Sequence, residues 1–246
     1  MTVYAPPDLG PDDADDSGRP GALEAFRNTL LYLRSQPSAL IGVTIVTLFV
    51  LMAIFAPWIA PYDPERPTDV FRTPPSWDHW FGTDPAGLDV FSRVVYASRI
   101  DLTVGILGTL LSLAIGVPLG LYTGYYRGFF PALVMRVTAL LQAFPVFALA
   151  MAMVAVAGPS LSNVIVVIGL LSAPIYIRLV RSQVVTFRER PAIEAARCVG
   201  NSDWRIITRY IFPNTIEAAL VQSSVNVGWA ILLTASLSFI GAGIPV

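Results

Sequence analysis

The chain has 246 residues, of which 54% are hydrophobic and only 13% charged, and its mean hydropathy is +0.63. A soluble domain carries roughly 25% charge on its surface, so this composition excludes one and indicates a polytopic membrane protein. The formal net charge is −1, which leaves no basic footprint for nucleic acid.

All 16 basic residues are arginine. Without lysine the chain carries neither a phosphate-binding loop of the G-x-x-x-x-G-K-[ST] kind nor a Schiff-base lysine. Its single cysteine, Cys198, excludes an internal disulfide and reads as a small packing residue.

Residues 1–22 form an acidic, breaker-rich leader with Asp12, Asp13, Asp15 and Asp16, expected to be disordered and not a signal peptide. Over 23–37, Leu23, Phe26, Leu30 and Leu33 recur at helical spacing, the pattern of an interfacial helix. The first apolar span is expected over 38–60, closed by Pro57 and Pro61, with Trp58 and Tyr62 at interface level. A polar loop rich in proline and tryptophan follows over 61–100, and 101–246 forms the membrane core. Further apolar runs at 102–122, 132–157, 164–185 and 215–240 bring the total to about five spans.

Arginine is densest between Arg178 and Arg209, and Arg127 and Arg136 follow the second span. By the positive-inside rule these loops are cytoplasmic, which puts the N-terminus in the cytoplasm and the 61–100 loop outside. The spans hold almost no titratable group: Glu217 lies near a span end, and the only histidine, His79, lies in the outer loop between Trp77 and Trp80. Ion-coupled carriers bury such groups at mid-membrane, so the energy source is expected on another chain.

The loop 186–214 concentrates charge between apolar stretches. Pro191 favours a helix start, and 192–199 reads as a short helix ended by Gly200 in a left-handed conformation. Ser202 or Asp203 caps a second helix that presents Trp204, Ile207 and Ile211 on one side before Pro213 stops it. Ala195 and Ala196 are small enough for a partner's groove to approach the backbone, with Glu194 and the arginines setting orientation. An amphipathic loop resting on lipid headgroups has the same spacing.

Glu194-Ala195-Ala196, Gly200 and Tyr210-Ile211-Phe212-Pro213 together resemble the E-A-A-x(3)-G-x(9)-I-x-L-P loop of the membrane subunits of ATP-binding-cassette importers. Tyr210 and Phe212 replace the usual isoleucine and leucine. A second segment, Gly82-Thr83-Asp84-Pro85-Ala86-Gly87-Leu88-Asp89-Val90-Phe91-Ser92-Arg93, is similar to the G-T-D-x-x-G-R-D-x-x-S-R motif of dipeptide, oligopeptide and nickel permeases, specifically their "C" subunit. Its marked positions are Gly82, Thr83, Asp84, Gly87, Asp89, Ser92 and Arg93, with Leu88 where arginine is usual. Gly116-Val117-Pro118-Leu119-Gly120, Ala143-Phe144-Pro145 and the run from Ala235 to Gly241 look like the same branch, so the resemblance covers about residues 27–246.

The resemblance implies an all-α type I importer transmembrane domain, with a sixth span expected in the family and therefore a truncated product here. It implies a non-catalytic permease of a bacterial inner membrane, partnered by a second homologous permease, two ATPase subunits and a periplasmic or lipid-anchored substrate-binding protein. ATP and magnesium belong to the ATPases, and neither cofactor nor metal is expected on this chain. Glu194, Ala195, Ala196, Arg197, Gly200, Asp203 and Pro213 are the expected ATPase-coupling residues. Gln142, Gln222, Ser223, Ser224 and Asn226 are polar candidates for lining the pathway, or for hydrogen bonds between helices.

Short peptides are the expected cargo, with nickel complexes, opines and other small solutes as alternatives. A secondary carrier or channel is the rival class and lacks buried titratable groups. An intramembrane enzyme lacks an H-E-x-x-H pair and has one histidine for any triad.

Overall fold

The computed structural model describes residues 36–241 and residue 243. The acidic leader, nearly all of the expected interfacial helix and the chain's last residues lie outside the described residues. Among the described residues the elements are helical, apart from a single bridge between Thr83 and Asp89. Leu40, Ile41, Ile45, Val46 and Leu48 of helix α1 (Pro37–Ile59) are exposed, as suits an apolar helix in contact with lipid.

Helix α2 (Val90–Tyr125) is 36 residues long, about 54 Å at the α-helical rise, and begins well before the expected 102. The apolar run marks only its membrane-crossing part. The true start is set by Asp89, whose carboxylate caps the Ser92 amide at 2.8 Å.

The expected single span over 132–157 is two helices, α3 (Phe129–Ala143) and α4 (Val146–Ala157), bent by 97°. Pro145 explains the break. It forces Phe144 out of the helical region, to φ −86° and ψ 146°, and supplies no N–H to continue the ladder. Helix α5 (Leu161–Arg188) follows, capped by Ser160 on the Asn163 amide at 3.2 Å.

The loop region contains α6 (Pro191–Cys198), the short α7 (Asp203–Ile206) and a π-helical turn, Ile207–Ile211, that leads directly into α8 (Phe212–Phe239). Pro213 therefore does not stop the second helix, contrary to the sequence expectation. In the π turn the Phe212 amide bonds to Ile207 O, so Pro213 falls at the start of a new α-register, where a missing N–H costs little. Among the described residues, four helices are long and apolar enough to cross a membrane, or five with the bent pair counted as one, in line with the expected number.

The bundle is organised around α2 and α5. Gly116, Gly120 and Gly124 face Tyr176, Val180 and Val184, each set spaced by four residues, so a row of small residues meets a row of large ones. A Cβ at Gly120 would stand 2.7 Å from the Val180 Cβ, and one at Gly124 would stand 2.6 Å from the Val184 Cβ. Around this contact the core gathers Tyr176, Val180, Val184, Ile206, Ile211 and Ala219. A second cluster, around Val104, Val154, Ile168, Ala230 and Leu237, packs the other half.

Candidate functional site

Two loops and one polar seam hold the residues singled out by sequence. The Gly-Thr-Asp loop folds back onto the N-terminus of α2. Asp89 is 1% exposed and organises it, one carboxylate oxygen accepting the Ser92 amide and hydroxyl at 2.8 and 2.7 Å, the other meeting His79 Nδ1 at 2.9 Å. Burial is the largest influence on Asp89 and pushes its carboxyl up, but the bonds from Ser92 and His79 outweigh it and hold the group below the usual 3.8.

Asp84 accepts the Leu88 and Ala86 amides at 2.9 and 2.8 Å and the Arg93 guanidinium at 2.8 Å. The Leu88 amide is the main influence, and together with Ala86 and Arg93 it lowers this carboxyl too, against the opposing effect of burial. Gly82 adopts φ +75°, and a Cβ there would collide with the Thr73 carbonyl, so the motif's first position requires glycine. Thr83 bonds the Thr73 amide through its hydroxyl at 3.0 Å, and the Gly87 carbonyl accepts the Thr68 amide at 2.7 Å.

Gly82, Thr83, Gly87, Asp89 and Ser92 are all buried, so these motif positions close the loop on itself. His79 belongs to the same knot. It is 7% exposed, stacked on Tyr62 at 4.7 Å, and its role was invisible in a sequence where Asp89 lies ten residues away.

The Glu-Ala-Ala loop is built as its spacing predicts up to Ser202. Helix α6 ends in a Schellman motif, with the Asn201 amide on Ala196 O at 3.1 Å, the Gly200 amide on Arg197 O at 2.9 Å, and Gly200 at φ +81°. Ser202 then caps α7 through the Arg205 amide. Helix α6 has two unlike faces. Ile193 and Ala196 are buried in the same core as Tyr176 and Val184, while Glu194, Ala195, Arg197 and Cys198 are exposed.

Two sequence expectations change here. Ala196 is small because it packs inward against the bundle, so of the two alanines only Ala195 faces outward. Cys198 is an exposed free thiol and not a packing residue. Trp204 lines the same apolar groove as Ile207, as expected, but stands 74% exposed at its edge, while Ile206, Ile207 and Ile211 are buried.

Contacts beyond the motif lock this loop to α2. The Tyr125 hydroxyl donates to the Asp203 carboxylate at 2.6 Å. Arg188 donates to Tyr125 O and Gly124 O at 3.1 and 3.3 Å, and Arg181 donates to Thr123 O. These arginines satisfy carbonyls left unpaired at the C-terminus of α2, where positive charge is also favoured by the helix dipole. They belong to the dense arginine cluster between Arg178 and Arg209, and nothing in their spacing separates this capping role from a surface one.

The pathway candidates divide. Gln142 and Ser224 are exposed, Gln222 is half-buried, and Ser223 accepts the Tyr176 hydroxyl at 3.2 Å. Asn226 is 1% exposed and donates from Nδ2 to Thr109 Oγ1 at 2.9 Å, joining α8 to α2 inside the bundle. Pro213 is exposed at the second position of α8.

Residues 116–246 match the family model described as "Binding-protein-dependent transport system inner membrane component", and 25–75 match that for the "N-terminal TM domain of oligopeptide transport permease C". The chain is 40% identical over 224 residues to the dipeptide transport system permease protein DppC of Alkalihalophilus pseudofirmus, covering 90% of this chain and 73% of that protein. It is 42% identical over 212 residues to the glutathione transport system permease protein GsiD of Escherichia coli, covering 85% and 70% respectively. In fold it is similar to a solved chain of the MetNI methionine ABC transporter, in an inward-facing conformation, with TM-score 0.51 at 19% identity over 59% of this chain and 73% of that one. With a motif-bearing loop seated in an all-helical bundle and these matches, the chain belongs to the binding-protein-dependent transport inner-membrane components, as a C-type permease subunit of an ATP-binding-cassette importer.

Proposed function

We propose that this permease forms half of the translocation pathway of an ATP-driven importer of short peptides, and that α6 is the helix through which ATPase motion enters the membrane. The two-faced burial of α6 carries this reading. Ile193 and Ala196 are embedded in the bundle core, whereas Glu194 and Ala195 are exposed on the same eight-residue helix and the exposed Arg197 reaches over the Tyr125 ring. A push on the outer face is transmitted to α5 through the core and to α2 through the Tyr125 to Asp203 bond.

Gly200 sets the turn that aims α6, Asp203 ties it to α2, and Pro213 starts the span that the π turn joins to it. A second homologous permease completes the pathway, a substrate-binding protein delivers cargo, and two ATPases bind ATP and magnesium, with no catalysis on this chain. The protein resides in a bacterial inner membrane with its N-terminus in the cytoplasm, the orientation favoured by its arginine-rich loops. Peptides are favoured as cargo because the relatives above are named for a dipeptide and for glutathione, itself a short peptide. Gln142, Gln222 and Ser224 offer uncharged hydrogen-bonding groups to a moving peptide bond, with Ser223 and Asn226 supporting the helices behind them.

The test is the double substitution Glu194→Arg with Gly200→Pro. Proline is incompatible with the positive φ at 200, so the turn that aims α6 is lost. Membrane insertion is expected to be normal and co-purification of the ATPase subunits lost; unchanged co-purification overturns the coupling role. Peptide uptake by vesicles that persists without ATP overturns the importer reading.

A further inference from the structure

Four arginines, Arg127, Arg188, Arg190 and Arg197, line a cavity of about 500 Å³ at the junction of α2, α5 and α6, together with Glu189 and Glu194. Cations exceed anions there by two. The side chains are held in place by contacts other than a bound anion. Arg190 stacks on Phe187 at 3.8 Å, Arg197 lies over the Tyr125 ring at 5.5 Å, and Arg188 is tied to the carbonyls of Gly124 and Tyr125. Among the described residues the ion pairs do not include Arg127, Arg190 or Arg197.

The height of the cavity identifies its ligand. It lies where two membrane-length helices end, α2 at Tyr125 and α5 at Arg188. In sequence Arg127 lies between Tyr122 and Tyr126 and the pair Phe129 and Phe130. Phe129 is 82% exposed, and Phe130 meets Tyr122 edge-on at 5.5 Å. The exposed Tyr122 stands at this level, as tyrosine does at the boundary between hydrocarbon and headgroups. Planar guanidinium groups pair with phosphate oxygens in a bidentate fashion, and basic pockets between membrane helices at this depth suit anionic headgroups.

We propose that this cavity binds the phosphate headgroup of an anionic phospholipid, with the acyl chains lying against the exposed Phe129 and Phe130 face. A lipid held there wedges the base of α6 against the end of α2 and makes the loop's position sensitive to membrane composition. The inference requires only that the chain sits in a bilayer, so its failure leaves the transport reading intact.

The test uses the full chain with its co-expressed partner subunits, reconstituted in nanodiscs of equimolar phosphatidylglycerol and phosphatidylcholine. Lipids retained after detergent extraction are quantified by mass spectrometry. The wild type is expected to retain phosphatidylglycerol over phosphatidylcholine by roughly tenfold or more. The double variant Arg127→Gln/Arg190→Gln is expected to lose that preference, and Arg178→Gln/Arg205→Gln, which removes equal charge outside the cavity, is expected to keep it.

Absence of a preference in the wild type overturns the proposal without reference to any variant. Equal loss in both double variants overturns it as a general charge effect. Complete displacement of the lipid by inorganic phosphate assigns the cavity to a free anion, and retention seen only when the ATPase subunits are stripped away assigns it to an acidic protein side chain. Either result overturns the lipid assignment.

Discussion

The hydroxyl of Tyr125, in the last turn of α2, donates a 2.6 Å hydrogen bond to the carboxylate of Asp203, the first residue of α7. The ring that presents this hydroxyl is buried in the same core that receives Ile193 and Ala196 of α6. The end of a membrane helix and the second helix of the Glu-Ala-Ala loop are thus joined by one polar contact, buried at its tyrosine ring and exposed at its carboxylate. Displacement of the loop must either carry α2 with it or break that bond.

Tyr125→Phe removes the bond and keeps the ring. A hydrogen bond to a charged partner contributes about 1.5 to 3 kcal/mol when shielded, and exposure of Asp203 reduces this to about 1 kcal/mol. The variant is expected to fold and assemble, while stimulation of ATP hydrolysis by substrate in proteoliposomes falls several-fold. Asp203→Asn is expected to show the same pattern, and full stimulation in both would mean that the bond carries no motion.

Gly120→Ala tests the tight approach of α2 to α5. The added Cβ meets the Val180 Cβ at 2.7 Å and Ile177 O at 3.0 Å, an overpacking that costs about 1 to 3 kcal/mol. Gly228→Ala on α8 adds its methyl to open space, and the gain in helix propensity is at most about 1 kcal/mol. Thermal unfolding in detergent is expected to move down for the first variant and to hold or rise for the second.

Acidification is expected to loosen the Gly-Thr-Asp loop. Asp84 and Asp89 both have folded pKa values lowered from the usual 3.8. Their stabilising contribution is therefore complete above that value and is lost as pH falls through the lower folded values. Hydrogen exchange of residues 62–93, corrected for the intrinsic rate, is expected to show protection unchanged from pH 7 to about 5 and reduced below about 3. In Asp89→Asn, protection at neutral pH is expected to be lower, and its dependence on acid weaker.

Thiol labelling tests which of the polar candidates line a pathway and which pack between helices. Cys198 is exposed, so the background is Cys198→Ser. Ser224→Cys and Gln142→Cys are expected to react with a water-soluble thiol reagent, and added peptide is expected to slow them. Asn226→Cys, at a site 1% exposed and bonded to Thr109, is expected to react at least about tenfold more slowly. Equal rates would show that the seam between α2 and α8 opens during transport.

The reading of α6 from sequence succeeded because its signals are local. Pro191 at the start, Gly200 at the left-handed position and Ser202 at the next cap each act through backbone within a few residues. The apolar runs likewise reveal the spans, since crossing hydrocarbon demands length and composition and little else. Pro145 breaks the third run by the same local steric rule, although the run's hydropathy hides it.

Sequence by itself determined the class of this protein, its approximate spans and the motifs of its two loops, because transfer into lipid and helix capping depend on composition and near neighbours. Only the tertiary structure decided which face of α6 is buried, why Ala196 is small, how His79 serves Asp89, and that Tyr125 holds Asp203 across 78 residues of chain. Those outcomes follow from which helices pack together. The row of Gly116, Gly120 and Gly124 lets α2 approach α5 closely, and that approach brings Tyr125 and Arg188 to the base of the loop.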